Sequence, residues 1–277
     1  MHHKTIIEAN GLGNSFVIVD AGKSSVDRLT PHELASYRDV LLRSGRDSLL
    51  IIGDLSSAVR SNLKQMRVLE KDGSESQMCG NGLRAVARYY FESAHLPSIE
   101  VKTRAGIVSA EHQNGNIVRT CIGRFTHHGI IEAGQELVHD TDVGEPHAII
   151  FSARDQVEDL FARFATPIVH LGKLIGKSHT LNGQTRNLNV VSFDGEDPRI
   201  IYNRTYERGV NRETLACGTG SACAAMTYGK YFLKRPVFSV VVKTLQGSLE
   251  VAGQHDQVSV TGEAQIEKIL DGSTCPP

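Results

Sequence analysis

Short apolar runs bounded by glycine, aspartate and serine dominate the hydrophobic pattern of the chain, and they predict strands. In the first half the predicted strands cover residues 17–19, 49–52 and 66–69, with two or three more over 101–122. Apolar residues at helical spacing follow Thr30, where residues 30–33 (TPHE) form a capping box. Gly45 ends this predicted helix, and a second helix is predicted over residues 80–94.

The second half repeats this order. A short predicted helix over residues 157–164 precedes strands at 188–193 and 200–206. A helix from Gly218 to about Leu233 follows, and the last predicted strands cover residues 237–244, 247–252 and 257–260. Strands outnumber helices in both halves, which favours an α+β fold.

Three blocks of sequence recur in the same order and at nearly the same offset, which indicates an internal duplication. They are RVLE and RTYE (67–70, 204–207), CGNG and CGTG (79–82, 217–220), and VKTRAG and VKTLQG (101–106, 242–247). We therefore predict two α+β domains related by a pseudo-twofold axis, each a mixed or antiparallel sheet wrapped around a central helix. Residues 1–122 carry Cys79 and residues 123–277 carry Cys217, allowing for a C-terminal strand that crosses over to the first half.

Composition narrows the class of protein. The 277 residues include 30 Lys and Arg against 31 Asp and Glu, for a net charge of −1, which argues against nucleic acid or an anionic membrane as a partner. No apolar run approaches the ~18 residues of a membrane span, and no secretory leader opens the chain. Five cysteines without zinc or disulfide-framework spacing indicate a reducing compartment. We expect a soluble cytoplasmic protein without a metal site, and a homodimer as the commonest assembly.

The repeated cysteine is the strongest candidate for chemistry. Each Cys-Gly-x-Gly lies at a predicted strand-to-helix junction, where unpaired N–H groups and the helix dipole bind anions and lower the pKa of a thiol. A single cysteine there is usually a small core residue, whereas two equivalent copies favour a functional role. If the domains bring both helix starts to one interdomain cleft, Cys79 and Cys217 face opposite sides of a bound ligand.

Two opposed thiols suit the removal of a proton from one face of a carbon and its return to the other face. One cysteine acts as a thiolate base and the other as a thiol acid, while the helix ends stabilise the carboxylate as it gains enolate character. Nothing in the sequence suggests a pyridoxal lysine or a metal, so we expect catalysis without a cofactor.

These motifs resemble the diaminopimelate epimerase family over essentially the whole chain. The matching segments are residues 11–16 (GLGNSF), 72–74 (DGS), 78–84 (MCGNGLR), 146–147 (PH), 207–209 (ERG) and 216–220 (ACGTG). The resemblance implies a pyridoxal-independent isomerase that interconverts LL- and meso-diaminopimelate, for lysine and peptidoglycan synthesis.

The resemblance also implies residue roles. Cys79 and Cys217 match the acid–base pair, and His147 matches a histidine that tunes the thiols. The family residues that bind the reacting carboxylate are matched in this chain by Gly80, Asn81, Gly218 and Thr219. Asn14 matches a family asparagine in the substrate pocket. Asn189 and Arg208 match residues that bind the distal carboxylate, and Glu207 matches the residue that binds the distal ammonium.

Three candidate specificity positions depart from the family pattern. Ser48 replaces a common glutamine, and Glu70 and Glu145 replace asparagines. A carboxylate ~4 Å from a substrate carboxylate costs about 4 kcal/mol at an effective dielectric of 20, so an acidic pocket favours a cation. The alternative is therefore a racemase of lysine, arginine or histidine, against which Arg208 argues. A remote alternative is a paralogue that binds an amino acid without turnover.

The remaining chemistry-bearing residues have structural interpretations. We read Cys121, Cys223 and Cys275 as structural or incidental, and Cys223 as a core residue. The adjacent His127 and His128 are expected on a solvated loop. Arg84 and Arg88 are expected on a solvated helix face.

Overall fold

A computed structural model describes residues 5–22, 26, 29–55, 62–133, 136–153, 186–207 and 212–270. The chain divides into two compact units, formed by residues 1–121 with 262–277 and by residues 122–261. The helix predicted at 157–164 lies outside the described residues, as do Arg208 and Cys275. No helix in the described segments is long and apolar enough to cross a membrane.

The first unit contains a mixed sheet and two helices. Its helices are α1 (Pro31–Ser44) and α2 (Gly80–Ala94). Its strands are β1 (Thr5–Gly11), β2 (Asn14–Asp20), β3 (Ser48–Asp54), β4 (Leu63–Glu70), β5 (Glu75–Ser76), β6 (Ser98–Thr103), β7 (Gly106–His112), most of β8 (Ile117–Arg124) and β18 (Gln265–Leu270). The last strand pairs with the first, so the C-terminal segment belongs to this unit.

In the second unit the described residues form a mixed sheet around one helix, α3 (Gly218–Tyr228), which continues into a π-helical turn (Gly229–Leu233). Its strands are β9 (Thr126–Ala133), β10 (Glu136–Asp142), β11 (Pro146–Phe151), β12 (Asn187–Phe193), β13 (Ile200–Glu207), β14 (Arg212–Thr214), β15 (Val237–Lys243), β16 (Ser248–Gln254) and most of β17 (Gln257–Glu263).

Both units pair their strands in the same way, as the sequence duplication predicts. In the first, β18, β1 and β2 are antiparallel, β2 and β3 parallel, β3 and β4 antiparallel, β4 and β6 parallel, and β6 to β8 antiparallel. Strands β9 to β13 and β15 to β17 repeat this pattern step for step in the second unit. The predicted α+β class, with a mixed sheet around a helix in each half, is therefore confirmed.

Each sheet surrounds one buried helix. Every residue of α3 is buried, and α2 is buried over most of its length from Gly80 to Phe91. In the first unit α1 covers the opposite sheet face, where Tyr37 and Leu41 pack against Val17, Leu49 and their neighbours. Strands β2 and β3 therefore bury both faces, which explains why they read as continuous apolar runs.

Several strands escape prediction because charged or polar residues interrupt their apolar positions. Strand β9 reads THHGIIEA, and β18, predicted only as a C-terminal strand without bounds, reads QIEKIL with every residue exposed or half-buried. The expected solvated loop at His127 is wrong, because His127 lies in β9 with its Nε2 3.1 Å from Nδ1 of His139. Burial lowers the pKa of His127 to about 4, which keeps its ring neutral at neutral pH.

Helix α1 begins with the predicted capping box. The Glu33 N–H donates to Oγ1 of Thr30 at 3.2 Å, and the Thr30 N–H donates to Oε2 of Glu33 at 2.8 Å. Gly45 ends the helix in the left-handed conformation at φ 72°, as predicted.

Replacement of Thr30 by alanine (Thr30→Ala) should lower the free energy of unfolding by about 1 kcal/mol, because the first turn loses a side-chain acceptor. Urea unfolding measures this loss. Thr30→Ser retains the hydroxyl and is the control. Equal stability of the alanine variant and the wild-type protein would contradict the role of the cap.

Candidate active site

Helix α2 begins at Cys79, whose sulfur caps it. Cys79 has extended backbone angles, φ −131° and ψ 110°, and its carbonyl accepts the first helical hydrogen bond from the Leu83 N–H at 2.8 Å. The Gly82 N–H donates to Sγ of Cys79 at 3.3 Å. The sulfur thus takes the place that serine or aspartate oxygen takes in an ordinary N-cap.

Helix α3 begins at Cys217 with the same geometry. Cys217 has φ −126° and ψ 118°, and its carbonyl accepts from the Ser221 N–H at 2.9 Å. The Gly220 N–H donates to Sγ of Cys217 at 3.3 Å. The repeated Cys-Gly-x-Gly sequence is therefore also a repeated structure.

The second glycine of each motif provides room for a strand beneath the helix. A Cβ on Gly82 would lie 3.0 Å from the side-chain methyls of Leu50 on β3. A Cβ on Gly220 would lie 2.5 Å from Nδ2 of Asn189 on β12, the strand that corresponds to β3. Close helix–strand contact requires glycine here.

Two features of each cap act in favour of a thiolate, whereas the burial of Cys217 acts against one. Helix N-termini carry partial positive charge, and an N–H donated to sulfur stabilises the charged form. Cys223, within α3, is the contrasting case because its complete burial raises the pKa of its thiol. Cys223 is therefore an inert core residue, as predicted, whereas Cys121 is exposed.

A chain of buried polar groups supports Asn81, the residue two positions after Cys79. Asn81 donates from Nδ2 to Oδ1 of Asn14, and its own Oδ1 accepts from Nη2 of Arg84 at 2.6 Å. The expected solvated position of Arg84 is wrong, because the residue is fully buried and its guanidinium also contacts the carbonyl oxygen of Glu263 at 3.4 Å. Arg84 thus positions a residue of the candidate site.

A different network lies beside Cys217. Its Sγ is 3.4 Å from Oγ1 of Thr219, which is 3.0 Å from Nε2 of His147. The other ring nitrogen, Nδ1, is 2.7 Å from Oδ1 of Asn189. His147 and Asn189 are fully buried, so the ring is held from both sides.

The amide of Asn189 is oriented by two residues of β13. Its Nδ2 donates to Oδ1 of Asn203 at 3.0 Å and to Oγ1 of Thr205 at 2.7 Å. Both amide hydrogens are used within the protein, so contact with a substrate carboxylate would require the release of one of them.

Two carboxylates, of buried Glu70 and half-buried Glu207, occupy corresponding positions in the two units. Glu70 accepts from Ser48 at 2.7 Å and from Ser76 at 2.8 Å. Glu207, at the equivalent place on β13, accepts from Thr214 at 2.5 Å. Ser48 and Glu70, two of the three candidate specificity residues, are thus hydrogen-bonded to each other. The third, Glu145, is buried at the start of β11.

Sequence reasoning missed Arg84, which supports the first cysteine cap, and Asn203 and Thr205, which support the second. A period of two along β13 was the available signal, since Asn203 and Thr205 share the buried face of the strand with apolar Ile201. Arg84 offered only its position one turn after Gly80, which does not separate a buried arginine from an exposed one.

Comparison with known proteins identifies the family. The family model described as diaminopimelate epimerase matches residues 7–127 and 141–267. The chain belongs to the diaminopimelate epimerase family. The match includes both cysteine caps, and enzymes of this kind are isomerases that act on a small-molecule substrate.

Curated relatives match over nearly their full length. Diaminopimelate epimerase of Archaeoglobus fulgidus is 31% identical, covering 95% of this chain and 93% of the relative. The Aromatoleum aromaticum enzyme is also 31% identical, covering 92% and 93%.

Solved structures resemble the fold at lower identity. A hydroxyproline epimerase from Agrobacterium vitis has a TM-score of 0.72 at 13% identity, covering 98% of this chain and 91% of that one. A Bacillus anthracis phenazine biosynthesis protein of the PhzF family has a TM-score of 0.70 at 17% identity, covering 98% and 99%.

Gly220→Ala should lower the free energy of unfolding by about 1–3 kcal/mol, because the added methyl group overlaps the Asn189 amide. The greater helix propensity of alanine returns at most about 1 kcal/mol, so destabilisation prevails. Chemical unfolding measures the difference.

Gly195→Ala is the matched control, since a Cβ at Gly195 meets nothing within 4 Å. Equal effects of the two substitutions would show that the close approach at Gly220 is unimportant.

Proposed function

We propose that the chain is a cofactor-independent epimerase that interconverts LL- and meso-diaminopimelate, with Cys79 and Cys217 as its acid–base pair. One observation carries the proposal: both cysteines cap buried helices with the same N–H to sulfur geometry, in a chain of the diaminopimelate epimerase family. In such a mechanism the two thiols meet one substrate from opposite sides.

The proposed step transfers two protons. A thiolate removes the proton from Cα, forming an S–H bond while the C–H electron pair moves into the carboxylate. The second thiol gives its proton to the opposite face, which restores the C–H bond with inverted configuration and leaves that cysteine as the thiolate. The reverse reaction exchanges the two roles.

Stabilisation of the charged carboxylate is the task we assign to the two helix starts. First-turn N–H groups have no acceptor within their own helix, and they are directed toward the charge that develops in the transition state. The proposed donors are Gly80, Asn81, Gly218 and Thr219.

The rest of the substrate is assigned by family resemblance. We propose Asn14 for the substrate pocket, Asn189 and Arg208 for the distal carboxylate, and Glu207 for the distal ammonium. His147 is proposed to tune the thiols, and its contact with Thr219, which itself contacts Cys217, supports this role. Homodimer formation, a cytoplasmic location and the interdomain cleft stay predictions.

Cys79→Ser and Cys217→Ser should each reduce epimerisation about 10²- to 10⁴-fold, because a serine hydroxyl is a far poorer acid–base group at neutral pH. Exchange of the Cα proton with D₂O, followed by NMR in the presence of reductant, measures this loss.

Cys121→Ser is the control, because Cys121 is exposed and lies in β8, outside the helix caps. Undiminished exchange in either cap variant would disprove the two-thiol mechanism.

A racemase of a basic amino acid is the second candidate, and the buried carboxylates of Glu70 and Glu145 favour it. If these groups line the distal pocket, they attract the side chain of lysine, arginine or histidine and repel a second carboxylate.

A panel of LL-diaminopimelate, L-lysine, L-arginine and L-histidine separates the candidates. We expect Cα exchange with diaminopimelate, whereas exchange only with a basic amino acid would transfer the assignment to the racemase. Silence across the panel would favour a paralogue that binds without turnover.

Glu70→Gln sharpens the comparison, because it removes the charge and keeps an oxygen that accepts from Ser48. If Glu70 repels the substrate's distal carboxylate, the variant should gain at least about tenfold in kcat/KM on diaminopimelate relative to lysine, which corresponds to ~1.4 kcal/mol.

A further inference from the structure

The two cysteine caps have equivalent backbones but different surroundings. Phe16 on β2 and His147 on β11 occupy equivalent positions. Each is the first paired residue of its strand, in the parallel pairs β2–β3 and β11–β12 respectively. The same registers place Leu50 on β3 where β12 has Asn189. Phe16 and Leu50 are both buried apolar residues. An imidazole therefore supports only one of the two caps at these equivalent positions.

The hydrogen-bond network in the second unit determines which ring nitrogen of His147 carries the proton. Asn189 uses Nδ2 to donate to Asn203 and Thr205, so its Oδ1 faces His147. The amide oxygen of Asn189 can only accept a hydrogen bond, so Nδ1 of His147 carries the hydrogen atom. Nε2 is therefore the acceptor nitrogen of the ring. The Thr219 hydroxyl consequently donates to Nε2, and its oxygen accepts from the Cys217 thiol.

We propose that Thr219 is a proton relay between Cys217 and His147, through which the Cys217 thiol loses its proton within the protein. His147 acts through Thr219 and is a positioning residue. Asn189, Asn203 and Thr205 hold the ring in the tautomer that the relay requires. The inference deepens the proposed function. The relay itself does not depend on that function, whereas its role in catalysis rests on it.

The relay moves protons without a net change of charge in the network. The S–H bond of Cys217 breaks as the thiol proton passes to the Thr219 oxygen. At the same time the original O–H bond of Thr219 breaks, and the hydroxyl proton binds Nε2 of His147. The products are a Cys217 thiolate and a His147 imidazolium, with the threonine hydroxyl restored between them. The Gly220 N–H continues to donate to the sulfur and stabilises its charge.

Other titratable groups surround this network and bear on its pH dependence. The described ones on α3 and on the elements that pack against it and β11 include His139, Asp140 with its ion-pair partner Arg186, Asp142, Glu145, Tyr202, Arg204, Tyr206, Glu207, Cys223, Tyr228, Lys230, Tyr231, Lys243 and Glu250. None of them differs between the variants compared below, so a shift between those variants reports on the relay.

The test measures the reactivity of each thiol without substrate. Iodoacetamide alkylation of Cys79 and Cys217 is followed from about pH 6 to pH 9 by mass spectrometry of the two peptides, because only the thiolate reacts. Thr219→Val preserves shape and removes the hydroxyl, whereas Thr219→Ser keeps it. Cys79 serves as the internal reference in every sample.

Thr219→Val should raise the midpoint of the Cys217 alkylation profile by about one pH unit and slow the reaction about tenfold at neutral pH. Thr219→Ser should stay within about twofold of the wild-type rate, and Cys79 should not change. His147→Gln, which cannot take up the proton, should reproduce the valine result and provides the readout if the valine variant does not fold.

Three results would overturn the proposal: an unshifted Cys217 profile in Thr219→Val, an equal shift in Thr219→Ser, or a matching shift at Cys79. Because alkylation needs no turnover, failure of the relay is distinguishable from failure of the proposed function. A shifted profile in a protein that is silent across the amino-acid panel would retain the relay and reject the epimerase.

Discussion

The amide of the third helical residue donates to a cysteine sulfur at the start of both α2 and α3, and the rest of each unit is arranged around that contact. The helix must be buried for its N-terminal charge to act strongly, because water would screen it. Burial in turn requires strands on several sides, which a mixed sheet wrapped around the helix provides. Glycine at the donating position lets a strand side chain approach the helix start from below.

Duplication supplied two copies of this contact, and the side chains beneath them have since diverged. Phe16 and Leu50 give the first copy an apolar support, while His147 and Asn189 give the second a polar one. A reaction that exchanges acid and base roles needs two thiols of similar basicity in the substrate complex. The two thiols can reach similar basicity through different neighbouring side chains. The apolar residues beneath the first cap and the polar residues beneath the second are therefore compatible with reversible chemistry.

Much of this arrangement could be predicted from sequence. The repeated Cys-Gly-x-Gly locates both helix starts, while the capping box at Thr30 and the glycine at position 45 give the limits of α1. Both signals are local, since they depend on residues within one turn. Arg84 and His127 were misplaced because burial depends on strands distant in sequence. The pairing of Ser48 with Glu70 was equally hidden, because it depends on the register of β3 against β4.

That pairing has an evolutionary consequence. Ser48 and Glu70 face each other across β3 and β4 and share a hydrogen bond, so a substitution at one position changes the environment of the other. Exchange of either residue alone removes this buried hydrogen bond, and couplings between contacting residues commonly reach 0.5–3 kcal/mol. A lineage that changes both residues of this pair therefore faces epistasis: the first substitution gives a weakened intermediate unless Ser76 holds the Glu70 carboxylate in the meantime.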